Sequence, residues 1–233
     1  MKIASSEDSL GILASEVIGC RRCPRLREYC GQIAREKRRA FVDWEYWGKP
    51  VAGFGDVGAG IWIVGLAPGA HGANRTGRVF TGDRSGDFLF AGLHRAGLAN
   101  QPKSIHRDDG LMLRGVYISA AARCAPPGNK PLPEELANCS EYLDREWDML
   151  KRVRVMLALG KIGWDATAGL ARRRGCDFPE GKRAFGHGAL MRLTKDRWML
   201  GSYHVSQQNT FTGKLTGKMF DAIVKRSGEL SLP

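Results

Sequence analysis

The 233-residue chain is poor in acid, and it has no long apolar run. Nothing approaches the ~20 consecutive apolar residues that a membrane-crossing helix needs, so no association with a membrane is expected. The first twenty residues carry acids and lack an apolar core followed by a small-residue cleavage site, which leads to the expectation of a cytoplasmic protein. Internal repeats, low-complexity tracts and a recognisable linker are also missing, so residues 1–233 read as one domain. Asp and Glu total 24 against 36 Lys and Arg, a net charge of +12 that points to an anionic partner, nucleic acid first. Six cysteines in a cytoplasmic chain read as metal ligands or buried thiols rather than disulfides.

Four short apolar runs stand out: residues 61–67 (IWIVGLA), 115–122 (GVYISAAA), 153–160 (VRVMLALG) and 197–204 (RWMLGSYH). Each is bounded by glycine or charge, as buried strands are. Helical patterns lie between and after them, at 83–98, 132–150, 161–174 and 213–228. Strands alternating with helices predict an α/β protein, a three-layer α/β/α sandwich around a central four-stranded, mainly parallel sheet. In such sheets ligands gather at the carboxyl ends of the strands. The loops after Ala67, Ala122 and His204 are therefore expected to meet in one cleft.

Those three loops are unusual. The first, GLAPGAHGANRTGRVFTGD (65–83), has no Gly-Lys-Ser/Thr at Walker spacing and no G-x-G-x-x-G, so it is neither a P-loop nor a dinucleotide fingerprint. Its glycines would let the backbone N–H groups of residues 65–70, Gly65, Leu66 and Ala67 among them, come close to a ligand. Phe80 could stack on a planar ring. His71 could touch a ligand or hold the loop, and Asp83 could serve chemistry or simply cap a helix. The middle loop, RCAPPGNKPLP, fixes Asn129 between prolines, with an amide suited to a base edge. The last holds His204 at a strand end, then the polar run Ser206, Gln207, Gln208, Asn209, Thr210, suited to tracking phosphates or to a plain surface turn. Cys20 and Cys23 form C-x-x-C, and Cys124 and Cys139 stand fifteen positions apart. Two such pairs allow zinc or an iron-sulfur cluster, and the wide second spacing favours iron-sulfur. Buried thiols remain the plain alternative.

The long first and last motifs, with RCAPPGNKP and CRRC, resemble the family 5, or type B, uracil-DNA glycosylases of the uracil-DNA glycosylase superfamily over about residues 20–218. That resemblance implies a parallel sheet flanked by helices and a 4Fe-4S cluster on Cys20, Cys23, Cys124 and Cys139, leaving out Cys30 and Cys176. The cluster would tie residues 1–50 to the rest. It implies Phe80 stacked on a flipped base, Asp83 as the catalytic acidic residue, Asn129 facing the base, and His204 facing sugar and base carbonyl. Gly65, Leu66, Ala67 and His71 would complete the base site. Arg75, Ser206, Gln207, Gln208, Asn209 and Lys214 would meet DNA, damaged duplex first and single strands as an extension. The implied reaction is hydrolysis of the N-glycosidic bond of uracil, extended to hypoxanthine and related lesions, by a monofunctional, monomeric base-excision repair enzyme. Residues 67–70 read Ala-Pro-Gly-Ala, with no side chain at the place where many members of the superfamily activate water. An iron-sulfur protein that binds damaged DNA without cleaving the base is therefore the competing expectation.

Overall fold

The computed structural model describes residues 6–176 and 184–232. In chain order its strands are β1 (Phe54–Gly55), β2 (Ile61–Gly65), β3 (Val116–Ala120), β4 (Val155–Leu159), β5 (Leu190–Arg192) and β6 (Trp198–Ser202). They form one sheet in the order β1-β3-β2-β4-β6-β5. The inner four are parallel, whereas β1 and β5 run antiparallel to β3 and β6. The expected four-stranded sheet is therefore the core of a six-stranded one. The two edges escape the sequence pattern because they span two and three residues and are only half-buried.

The helices are α1 (Ser6–Gly19), α2 (Pro24–Glu36), α3 (Ala73–Thr76), α4 (Arg84–Arg95), α5 (Pro133–Met149), α6 (Gly160–Arg173), α7 (Gln207–Phe211) and α8 (Gly217–Ser231). Alternate strand residues face opposite layers, as pleating requires. Ile61, Ile63, Val116, Ile118, Val155 and Leu157 pack with Leu89 and Phe90 of α4 and Phe220 of α8. Trp62, Val64, Tyr117, Met156 and Ala158 face α1, α5 and α6 through Leu13, Leu143 and Leu170. Each such large apolar side chain, fully buried, stabilises the fold by roughly 1.5–3 kcal/mol before entropy is counted. Register aligns Gly65 with Ala120 and Leu159 with Ser202, so the carboxyl ends of the parallel strands lie at one level.

The N-terminal helices are tied to α5 by charge. Arg25 makes a two-pronged contact with Glu135, through Nε at 2.8 Å and Nη2 at 2.7 Å. Arg22 meets Glu141 at 2.7 Å, and Arg145 meets Glu16. Glu135 also accepts the N–H of Leu132 at 2.7 Å, capping the helix that Pro133 opens. No described helix is long and apolar enough to cross a membrane.

Among the described residues one ion pair lies wholly inside. Arg123 Nη2 donates to Glu146 Oε2 at 2.6 Å, and both side chains are 1% exposed. The Tyr117 hydroxyl adds a longer bond to Glu146 at 3.5 Å, and burial pushes its pKa well up. Arg123 Nε and Nη1 have no partner among the described residues. Removing one charge of such a pair strands the other. Glu146→Gln is expected to lower the unfolding free energy by about 3 kcal/mol in a urea titration, and Glu146→Leu with Arg123→Met to restore most of it. A single variant as stable as the parent would contradict this.

Candidate active-site cleft

The loops that follow β2, β3 and β6 meet, as expected, in one cleft of about 1050 Å³. Leu66, Ala67, His71, Phe80, Asp83, Asn129 and His204 all line it, and so do Ser206, Gln207 and Gln208. The first loop leaves β2 at Gly65, where a Cβ would stand 2.7 Å from the Phe80 ring, so the aromatic lies across the strand end. Phe80 is 8% exposed and holds φ at +53°, a left-handed conformation rare outside glycine. Ala67, at the cleft wall, has an N–H with no acceptor among the described residues.

Asp83 is both a cap and a cleft residue. Its Oδ1 accepts the Gly86 N–H at 3.0 Å and opens α4. Its Oδ2 lies against Gly69 and Gly72. A Cβ on Gly72 would collide with it, so this approach requires glycine. Burial raises the Asp83 pKa, opposed by the N–H groups of Gly86 and Ser85. His204 sits just past β6, and burial lowers its imidazole to about 4. It is therefore neutral near pH 7, a hydrogen-bond donor without charge. Its ring centre is 6.1 Å from that of Phe80. His71 is bonded through Nδ1 to the Tyr46 hydroxyl at 3.1 Å, and burial followed by the nearby Arg38 and Arg75 lowers its pKa.

Several expected contacts differ. Arg75, expected against DNA, lines the cleft but is only 3% exposed, and its side chain also holds the loop. Its guanidinium lies 3.8 Å from the Phe41 ring centre and 4.0 Å from that of Trp44. Nε donates to His71 O at 2.8 Å and Nη2 to Gly82 O at 2.7 Å, so it joins the two ends of the loop. The Asn209 amide is likewise turned inward, donating to His204 O at 2.8 Å. Lys214 Nζ stands 5.1 Å from the Tyr203 ring centre and does not line the cleft. Asn129 is exposed at the rim with φ at +57°.

Residues from an unsuspected segment complete the wall. Arg38, Phe41 and Trp44 come from the stretch before β1, and Arg84 and Ser85 from the start of α4. The alternation of arginine and aromatic residues in RRAFVDWEYW was the available signal. Phe211, at the end of α7, exposes 71% of its surface, an aromatic in an otherwise polar run.

The cysteines gather between α2, the end of β3 and α5. Cys23, Cys124 and Cys139 are buried and Cys20 is half-buried. Burial raises the Cys139 thiol, which lies within electrostatic reach of Arg123, Cys23 and Cys20. Burial also acts to raise Cys20, but the Arg22 N–H, the Tyr142 hydroxyl and the Arg22 guanidinium outweigh it and bring that thiol down. Cys30 is not remote from them. It shares a hydrogen bond with Cys124 and lies 3.6 Å from Ala125 O. Among the described residues no three His, Cys, Asp or Glu side chains converge closely enough for a single metal ion.

Arg75 gives the site a direct test of rigidity. Its two carbonyl bonds and two ring contacts are each worth about 1–2 kcal/mol, and burying the guanidinium with Nη1 unpartnered among the described residues offsets part of that gain. Arg75→Met is expected to lower the unfolding free energy by about 3 kcal/mol and to shift Trp44 fluorescence. An unchanged midpoint in urea would show that the loop stands without it.

Residues 52–227 match the uracil DNA glycosylase superfamily. The chain is 49% identical over 212 residues to the type-5 uracil-DNA glycosylase of Thermus thermophilus, covering 91% of this chain and 94% of that one. It is 46% identical over 230 residues to the Mycobacterium tuberculosis protein of the same name, covering 98% of this chain and 84% of the relative. The Mycobacterium leprae counterpart is 45% identical over 233 residues, with 98% and 99% covered. With the family match spanning most of its length and its relatives aligned almost end to end, this chain belongs to the uracil DNA glycosylase superfamily.

Proposed function

We propose that the protein is a base-excision repair glycosylase that extrudes uracil from DNA and hydrolyses its N-glycosidic bond, leaving an abasic site. The observation that carries this reading is the meeting of Phe80, Asp83 and His204 in one cleft of a family member. Extrusion costs a few kcal/mol, less for a mismatched base. Arg38 and Arg84 at the cleft, and the exposed polar side chains of Gln207 and Gln208, supply phosphate and groove contacts that offset it. Phe211 fits the wedge that fills the vacated stack.

Bond cleavage moves an electron pair onto the leaving base and leaves positive charge on the sugar. The Ala67 N–H and the neutral imidazole of His204 are donors for the base oxygen. Neutrality matters, because a donor need not lose its proton to stabilise the developing anion. Asp83, with Oδ1 engaged by the helix N-terminus and Oδ2 turned to the glycines, faces the sugar cation and orients water. It takes the place of a water-activating side chain at residues 67–70. Among the described residues no lysine lines the cleft, which favours hydrolysis without a covalent intermediate. The cleft also has room for a purine, so hypoxanthine belongs to the proposed range.

Cys20, Cys23, Cys124 and Cys139 are proposed to hold a four-iron cluster. The donor set fits: it is thiol only, mostly buried, and flanked by Arg22 and Arg123. A cube of four irons holds its thiolates wider apart than one ion does, consistent with the lack of a tight three-ligand group. Bound there, the cluster would cross-link α2 to α5 and to the end of β3.

Asp83→Asn separates catalysis from capping, since Asn caps as well as Asp. Because the folded pKa is raised, ionised Asp83 costs stability that is lost as pH rises through that value, so the variant is expected to be at least as stable at neutral pH. Its rate on a uracil duplex, read as alkali-labile strand breaks, is expected to fall at least about 100-fold. The parent's acid limb is expected above the ordinary carboxylate value of 3.8. Full activity in the variant would contradict the role of Asp83. No abasic site with parent protein would leave a damage-binding protein.

A further inference from the structure

At the opposite pole from the cleft, where the parallel strands begin, lies a second groove of about 780 Å³. Gly60, Gly115, Arg154 and Arg197, each the residue immediately before a parallel strand, all line it. Its side chains are of nearly one sign: Lys151, Arg152, Arg154 and Arg197 against Asp196. Lys151, Arg152 and Arg154 have no carboxylate partner among the ion pairs of the described residues, although the fold pairs most of its other buried or interhelical arginines. Arg197 is held over the Trp147 ring at 4.0 Å and donates through Nη2 to Leu150 O at 3.3 Å, while its Nη1 is buried without a described partner. Four cations set against a single lining carboxylate repel one another.

We infer that this groove is a second polyanion site, which takes the phosphate backbone of a DNA duplex other than the one in the cleft. Three observations choose the ligand. The backbone of the floor is already satisfied, since Gly60 and Ile61 donate to Gly115 O and Arg154 to Gly60 O, so binding falls to the cationic side chains. Such contacts position a polyanion without reading sequence. Among the described residues no aromatic ring lines the groove, so the stacking platform that single strands use is lacking there. Leu98 and Val153 are its only larger apolar side chains among the described residues, too few for the central anchor of an acidic peptide.

Two duplex sites at opposite poles let one molecule bridge two DNA segments and pass between them while searching. The inference rests on the proposed action on DNA, and the test keeps the two apart. Lys151→Glu with Arg152→Glu changes two exposed side chains remote from the cleft. An undamaged duplex is fixed to beads, and capture of a second, labelled undamaged duplex through the protein is measured at about 100 mM salt. Excision from a short uracil duplex is measured in parallel under single-turnover conditions. The parent is expected to bridge. The double variant is expected to lose at least fivefold in capture, keep its excision rate within twofold and retain its melting temperature. Absence of bridging by the parent would overturn the inference, as would equal bridging by the variant. So would capture by the parent that polyglutamate abolishes and unlabelled duplex does not, because that marks an acidic-peptide site. Bridging without excision would instead sink the glycosylase reading and leave the groove standing.

Discussion

Between Thr76 and Asp83 the chain doubles back through a phenylalanine in a left-handed conformation, and two buried guanidiniums hold it there. A side chain at φ +53° costs on the order of 1–2 kcal/mol. Arg75 joins the ends of the loop, and Arg78 fills its bend. The latter donates to Thr81 Oγ1 at 3.0 Å, Arg107 O at 2.9 Å, Ser104 Oγ at 2.7 Å and Asp109 at 2.7 Å. Burial acts to raise the Asp109 carboxyl, but Arg78 and three backbone N–H groups outweigh it and bring the carboxyl below its usual range. Strain at Phe80 is thus offset by charge-assisted bonds on either side. The ring then crosses Gly65, and Asp83 is delivered to the first turn of α4.

This arrangement couples distant parts of the chain. Arg75 is gripped by Phe41 and Trp44, some thirty residues earlier, and the same stretch donates from Trp47 and Gly48 to Arg75 O and Asn74 O. Asn74 reaches on to Cys30 O at 3.3 Å, which lies in α2 between the cysteines. The cysteine region, the aromatic wall and the loop with Asp83 therefore share one chain of contacts. Alignment of the strand ends brings His204 and Asn129 to the same level from the other side. The sheet supplies the platform, and the arginines decide what the glycine-rich loop does on it.

The inner strands were legible because each is a pentapeptide apolar on both faces, the mark of a parallel strand covered by helices. The helices from 83 and 132 were legible from Asp83 and Pro133 at their starts. The same pattern was available in α2, where Leu26, Tyr29, Cys30 and Ile33 lie at helical spacing behind Pro24, yet no helix was expected before residue 83. Convergence of the three loops followed from topology alone. The fate of Arg75 did not: an arginine in a polar loop of a basic chain reads as a phosphate contact until Phe41 and Trp44 are seen to enclose it. Asn209 misled for the same reason, its amide being turned to His204 O. Such pairings are tertiary, and no local spacing encodes them.

If the loop is built in advance, DNA should find it already in place. The most direct measurement is a crystal structure of the protein with a duplex carrying a deoxyuridine analogue whose glycosidic bond resists hydrolysis. The expected result is the base on the Phe80 ring, Asp83 Oδ2 toward the sugar, and residues 71–83 within about 1 Å of their positions in the free protein. Both Arg75 carbonyl bonds should be intact. A base bound away from Phe80, or a loop that reaches it only after Arg75 lets go of His71 and Gly82, would contradict the account.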